Sequence, residues 1–173
     1  MNTQSLNALA QDIGQILTAR GMTLTLAESC TGGLLGHAVT NIAGASHYFL
    51  GGVTCYSNAS KVTLLHVRAE TLREFGAVSE QCAEEMVAGI MRLFVADVAV
   101  AVTGIAGPDG GCDEKPVGTV FVAIGTAERR EVHKYCFKGE RASIREQATT
   151  AAWHACTTYS SKHSYCEQLF VSI

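Results

Sequence analysis

The chain has 173 residues, enough for one domain with a single substantial core, and 47% of them are hydrophobic. A net charge of −3 with only 17% charged residues provides no basic field to recruit nucleic acid. No apolar run approaches the roughly 20 residues needed to span a bilayer, and the N-terminus lacks a basic, apolar leader, so a soluble cytoplasmic protein is expected.

Leu6, Leu9, Ile13, Ile16 and Leu17 fall at helical spacing, predicting an amphipathic first helix that ends at Gly21. Thr23 to Ala27 alternates polar and apolar residues, as a short strand does. A second helix is expected from about Thr31 to Ile42. Ser29 therefore sits where a strand meets a helix start, among free N–H groups near Thr31, Gly32 and Gly33 that can hold an oxyanion or a phosphate. Serine and threonine are also favoured helix caps, so Ser29 or Thr31 serves equally well as a plain N-cap. Cys30 beside Ser29 is a rival nucleophile.

Residues 48–55 read as another buried strand. Asn58 is then a cap for a short helix with Lys61 in its first turn. A cation there opposes the helix dipole, so a purely structural lysine gains nothing from the position. Ser29 and Lys61, each just past a strand end, form a possible nucleophile and base pair, against the plainer reading of Lys61 as a solvated surface lysine. Short helical pieces fill 58–75. Ser79 caps a long helix whose apolar face carries Met86, Ile90, Leu93 and Phe94.

Residues 97–103 form a buried strand that opens into a glycine-rich loop, 104–111. Thr103 brings a hydroxyl to the rim, while Gly104 and Gly107 let a ligand approach the backbone, unless the loop is merely a turn. Residues 117–124 and 132–137 read as a hairpin, and a closing helix runs from about Glu140 to Tyr159. Lys138, Arg141 and Arg145 crowd the start of that helix, where positive charge is unfavourable unless an anion such as a phosphate completes the site or acidic neighbours pair with them. The alternation of elements points to an α/β layered domain with a mixed sheet, and loops 28–33, 56–61 and 103–111 fall where such sheets bind ligands.

Seven cysteines, an odd number, argue for reduced thiols. His154, Cys156, His163 and Cys166 have no recognised zinc spacing, so no metal is expected.

The segments AESCTGG (27–33), YSNASK (56–61), GAVSE (76–80), VTGIAGPDGG (102–111), KPVGTV (115–120) and FKGERASIR (137–145) together resemble the C-terminal domain of the competence/damage-inducible protein CinA. Six blocks in order, over about residues 5–155, make the resemblance specific. It implies a three-layer α/β/α sandwich with a mixed, mostly parallel sheet. Stand-alone members are nicotinamide-nucleotide amidases, so it implies hydrolysis of nicotinamide mononucleotide to nicotinic acid mononucleotide and ammonia in pyridine nucleotide salvage.

Carried over by position, Ser29 would be the nucleophile, Lys61 its base and Tyr56 a support for the pair. Thr103, Gly104 and Gly107 would border the nicotinamide pocket. Arg145, with Arg141, would help bind the nucleotide. No cofactor is implied, and a homodimer is expected from the family likeness. Full-length relatives carry a further N-terminal domain, so any pyrophosphatase activity of that domain is not expected. The domain is expected over residues 1–160, with 161–173 (His163, Tyr165, Cys166, Phe170) a divergent tail. The alternatives are a nucleotide-binding module without catalysis, and a serine amidase for another small amide.

Overall fold

The computed structural model describes residues 3–162. In chain order the elements are α1 (Thr3–Arg20), β1 (Leu24–Glu28), α2 (Leu34–Thr40), a single 3₁₀ turn (Ala45–His47), β2 (Phe49–Thr54), α3 (Asn58–Leu65), α4 (Ala69–Glu74), α5 (Glu80–Phe94), β3 (Val98–Gly104), β4 (Thr119–Gly125), β5 (Arg130–Cys136) and α6 (Arg141–Lys162). The strands form one sheet in the order β2-β1-β3-β4-β5. β1 is parallel to β2 and β3, while β4 is antiparallel to β3 and β5, so β4 alone among the described strands runs against the rest.

The two-residue period of the central strands sorts their side chains into two unlike faces. Leu24 and Leu26, Val98, Val100 and Val102, and Val120, Val122 and Ile124 point to one face, packing against α1, α2 and α6. Ala27, Ala99, Ala101, Phe121 and Ala123 point to the other, packing against α5. Small residues on the second face let α5 sit close to the sheet. The result is the expected three-layer sandwich. No helix of the described residues is long and apolar enough to cross a membrane.

Several local expectations are corrected. β1 is buried along its whole length, because parallel neighbours and helices enclose it on both faces; its Thr25 hydroxyl is satisfied by donating to the Gly51 carbonyl at 3.0 Å. β2 is instead an edge strand of alternating partial exposure. A register shift opposite Leu24/Thr25 flips its side chains, so Phe49 joins the α1 face and Val53 the α5 face. Ser57, not Asn58, caps α3, accepting from the Ser60 N–H at 3.1 Å. Ser79 caps α5 as expected. α2 begins at Leu34 because Gly32 and Gly33 take left-handed conformations, φ 62° and 99°. Residues 163–173, most of the expected tail, lie outside the described residues.

Candidate active site

The carboxyl ends of β1, β2 and β3 meet at one sheet edge, as parallel neighbours must. Ser29 directly follows β1 and stays tied to the sheet, its N–H donating to the Val102 carbonyl at 2.9 Å. Cys55, one residue past β2, donates its N–H to the Glu28 carbonyl at 2.8 Å. The chain then turns through Tyr56 and Ser57 into α3. Capping by Ser57 fixes that turn and aims the Lys61 side chain back toward the sheet.

The Lys61 amine ends 2.9 Å from Ser29 Oγ, 2.8 Å from the Cys55 carbonyl oxygen and 3.5 Å from that of Tyr56. Lys61 is 1% exposed and Ser29 7%. Among the described residues no carboxylate pairs with Lys61. An ammonium there has three acceptors for its three N–H groups. A neutral amine keeps two N–H groups for the two carbonyls and turns its lone pair to Ser29. The arrangement therefore satisfies the nitrogen in both protonation states, as a proton shuttle requires.

Both groups open onto a cavity of about 180 Å³. Of the residues singled out from the sequence, Ser29, Tyr56, Lys61, Thr103, Gly104 and Arg141 line it. Cys30, Asn58, Ala77, Val78 and Ala106 complete the wall. Arg141 stands at the exposed rim, donating from Nη1 to the Gly107 carbonyl at 2.7 Å and from Nη2 to the Tyr56 hydroxyl at 2.8 Å. The Tyr56 side chain is thus engaged with Arg141, and it is the Tyr56 carbonyl that faces Lys61.

Residues 6–159 match the CinA C-terminal domain family. The chain belongs to that family. It is 48% identical over 153 residues to the nicotinamide-nucleotide amidohydrolase PncC of Escherichia coli K12, covering 88% of this chain and 93% of that one. A protein of the same name from Enterobacter agglomerans is 49% identical over 149 residues, 86% of this chain and 91% of the relative. A CinA superfamily protein from Klebsiella pneumoniae 700603 has a crystal structure that superposes with a TM-score of 0.88 at 39% identity, covering 94% of this chain and 99% of that one.

In this CinA domain Thr31, Gly32, Gly33, Gly107 and Arg145 lie outside the wall of that cavity, while Thr103 and Gly104 line it. Gly33 faces a separate cavity of about 220 Å³ that it shares with Glu28. Thr103 is buried and donates its hydroxyl to the Ala77 carbonyl at 2.8 Å, fixing the loop before α5. Gly104 and Gly107 are explained by neighbours other than a ligand: a Cβ would lie 2.7 Å from the Val120 side chain in the first case and 2.7 Å from that of Val117 in the second. Thr31 Oγ1 is buried without a hydrogen-bond partner among the described residues. Arg145 donates from Nε at 3.2 Å and from Nη2 at 2.6 Å to the Thr31 carbonyl.

The expected oxyanion donors at 31–33 narrow on inspection. The Gly32 N–H donates to the Ser29 carbonyl at 3.1 Å. The Gly33 N–H is taken by the Glu28 carboxylate at 2.9 Å, which also accepts from Leu35 at 3.2 Å and Gly36 at 2.8 Å. Among the described residues the Cys30 and Thr31 N–H groups have no backbone acceptor. Glu28 is the residue that sequence reasoning missed. The signal was present: α2 opens on Gly32-Gly33, with no side chain of its own to cap it, so an outside acceptor is required.

Burial pushes the Cys30 thiol up to about 11, although its own N–H and that of Thr31 favour the thiolate. Cys30 is therefore a neutral thiol near pH 7 and a poor nucleophile there. Of the four residues weighed for a metal, His154 is exposed and Cys156 buried, two positions apart and so on opposite sides of α6; His163 and Cys166 lie outside the described residues.

Proposed function

We propose that the protein hydrolyses the carboxamide of nicotinamide mononucleotide to nicotinic acid mononucleotide and ammonia, a deamidation in pyridine nucleotide salvage. Close relatives along most of the chain bear the name nicotinamide-nucleotide amidohydrolase. The observation that carries the reading is the 2.9 Å contact between a buried serine hydroxyl and a buried lysine amine at a cavity floor.

In this reading Ser29 Oγ attacks the carboxamide carbon as the neutral Lys61 amine takes its proton. The Cys30 and Thr31 N–H groups, free of backbone acceptors, receive the developing oxyanion. The Lys61 ammonium then protonates the departing nitrogen, the C–N bond breaks, and ammonia leaves an ester on Ser29. Water, deprotonated by Lys61, attacks that ester; its C–O bond breaks, Ser29 takes the proton from Lys61, and the product acid leaves, giving its own proton to solvent as the carboxylate.

A cavity of about 180 Å³ is smaller than the roughly 300–1,000 Å³ that encloses a drug-sized ligand. It suits the pyridine ring with its amide, while ribose and phosphate extend out past the rim where Arg141 and Tyr56 are joined. Arg141, at the rim, is the cation placed to meet the phosphate.

Ammonia release from nicotinamide mononucleotide, nicotinamide riboside and nicotinamide tests the reading. The nucleotide is expected to have a kcat/KM about 10–100-fold above that of the riboside, the worth of a charge-assisted hydrogen bond. Equal turnover of nicotinamide, or nucleotide binding without ammonia release, contradicts it.

A further inference from the structure

The turn carrying Ser29 is built from residues that do not hold their own shape. Gly32 and Gly33 stand consecutively at φ 62° and 99°, and glycine crosses between left- and right-handed conformations at little steric cost. The orientation of the Thr31–Gly32 peptide is therefore not set by side-chain sterics. Its Gly32 N–H donates to the Ser29 carbonyl at 3.1 Å, and its Thr31 carbonyl is held by Arg145, from α6, through two donors. A Cβ on Gly32 would lie 3.3 Å from Arg145 Nη2, so the guanidinium lies directly over the turn. Thr31 is fully buried, and among the described residues its carbonyl has no other donor.

The two arginines of the α6 start thus do different things. Arg141 is exposed at the cavity rim, and Arg145 is half-buried, turned to backbone and outside the cavity wall.

We infer that Arg145 is a positioning residue, clamping the Thr31 carbonyl and so holding the turn 30–32, which carries the Cys30 and Thr31 N–H groups next in sequence to Ser29, with substrate charge left to Arg141. This rests on the proposed amidase reading and deepens it. The clamp acts on the transition state, because an N–H rotated away from the oxyanion loses its effect in the chemical step rather than in binding. Lysine cannot replace it, since one ammonium cannot reproduce a planar, two-donor grip.

The test is steady-state ammonia release from nicotinamide mononucleotide by Arg145→Lys and Arg141→Lys, with amide hydrogen exchange of residues 30–33. Arg145→Lys is expected to lower kcat by about 10–100-fold with KM within about twofold, the scale of a misaligned oxyanion donor. Exchange at Gly32 and Gly33 should quicken at least about tenfold as the turn loosens. Arg141→Lys should chiefly raise KM. Added methylguanidinium should restore part of kcat to Arg145→Ala, which a role in folding alone does not predict.

A raised KM at constant kcat for Arg145→Lys, or unchanged exchange at 30–33, overturns the inference. A wild-type protein that releases no ammonia, but whose turn loosens in Arg145→Lys, defeats the amidase reading and leaves the clamp standing.

Discussion

Beside Ser29 lies a thiol that chemistry would ordinarily prefer. Its position in the wall is no handicap, but its ionisation is. Cys30 is buried and held up to about 11, so its thiolate is scarce until strongly alkaline pH. Iodoacetamide at pH 7.5 is expected to label the exposed Cys112 and Cys136 well before Cys30, as peptide mass mapping would show. Labelling of Cys30 should climb only as pH nears 11. Rapid labelling of Cys30 at neutral pH would return it to candidacy as the nucleophile. Glu28 makes a second residue-level prediction. Its carboxylate accepts three N–H groups at the start of α2, and a glutamine amide offers one oxygen and a mismatched NH₂. Glu28→Gln should cost about 2 kcal/mol in urea unfolding, the penalty for buried donors left unpaired.

Among the elements, the junction of α4 and α5 is held by a carboxylate. Burial works to raise Glu85, but hydrogen bonds from the Arg68 N–H, the Thr71 hydroxyl and the Arg68 guanidinium outweigh it and hold it below its usual range. A depressed folded-state value stabilises the fold above the unfolded value and loses that contribution as pH falls through the folded one. Glu85→Gln should therefore lower Tm at pH 7, and its gap from wild type should shrink as pH falls below the ordinary glutamate value of about 4.3. A gap independent of pH would mean that the charge plays no part. Closer in, α3 and α5 touch backbone to side-chain-free backbone: a Cβ on Gly89 would overlap the Leu65 carbonyl. Gly89→Ala is expected to push α5 from α3 and destabilise by about 1–3 kcal/mol despite alanine's better helix propensity. Element types were legible from periodicity and caps, as Ser79 shows. The two-sided burial of β1 and the flipped register of β2 were not, because both depend on which strands become neighbours, and alternation within a five-residue window carries no such information.

For the whole molecule, the sheet joins two cores of different composition, branched aliphatics against α1, α2 and α6, and alanines against α5. Trp153, the only tryptophan, is fully buried in the first. If the sheet couples both layers, Trp153 emission and far-UV circular dichroism should report one coincident denaturant transition. An earlier loss of emission would mean that the α6 layer opens first. The same scale explains what the sequence revealed of the site. Ser29 and Lys61 were readable as a pair because parallel strand ends share an edge, and Arg141 because its charge opposes a helix dipole. The glycine start of α2 called for an outside acceptor without naming Glu28, and the grip of Arg145 was not readable. Each bonds to backbone, and no side-chain pattern announces a backbone partner.

Ammonia release by wild type, Ser29→Ala and Lys61→Met, with Trp153 emission confirming the fold, is the most direct measurement. The 2.9 Å contact read as nucleophile and base predicts a loss of about 10⁴-fold or more for the first variant and at least about 10²-fold for the second. Folded Lys61→Met with activity within about tenfold of wild type would contradict it.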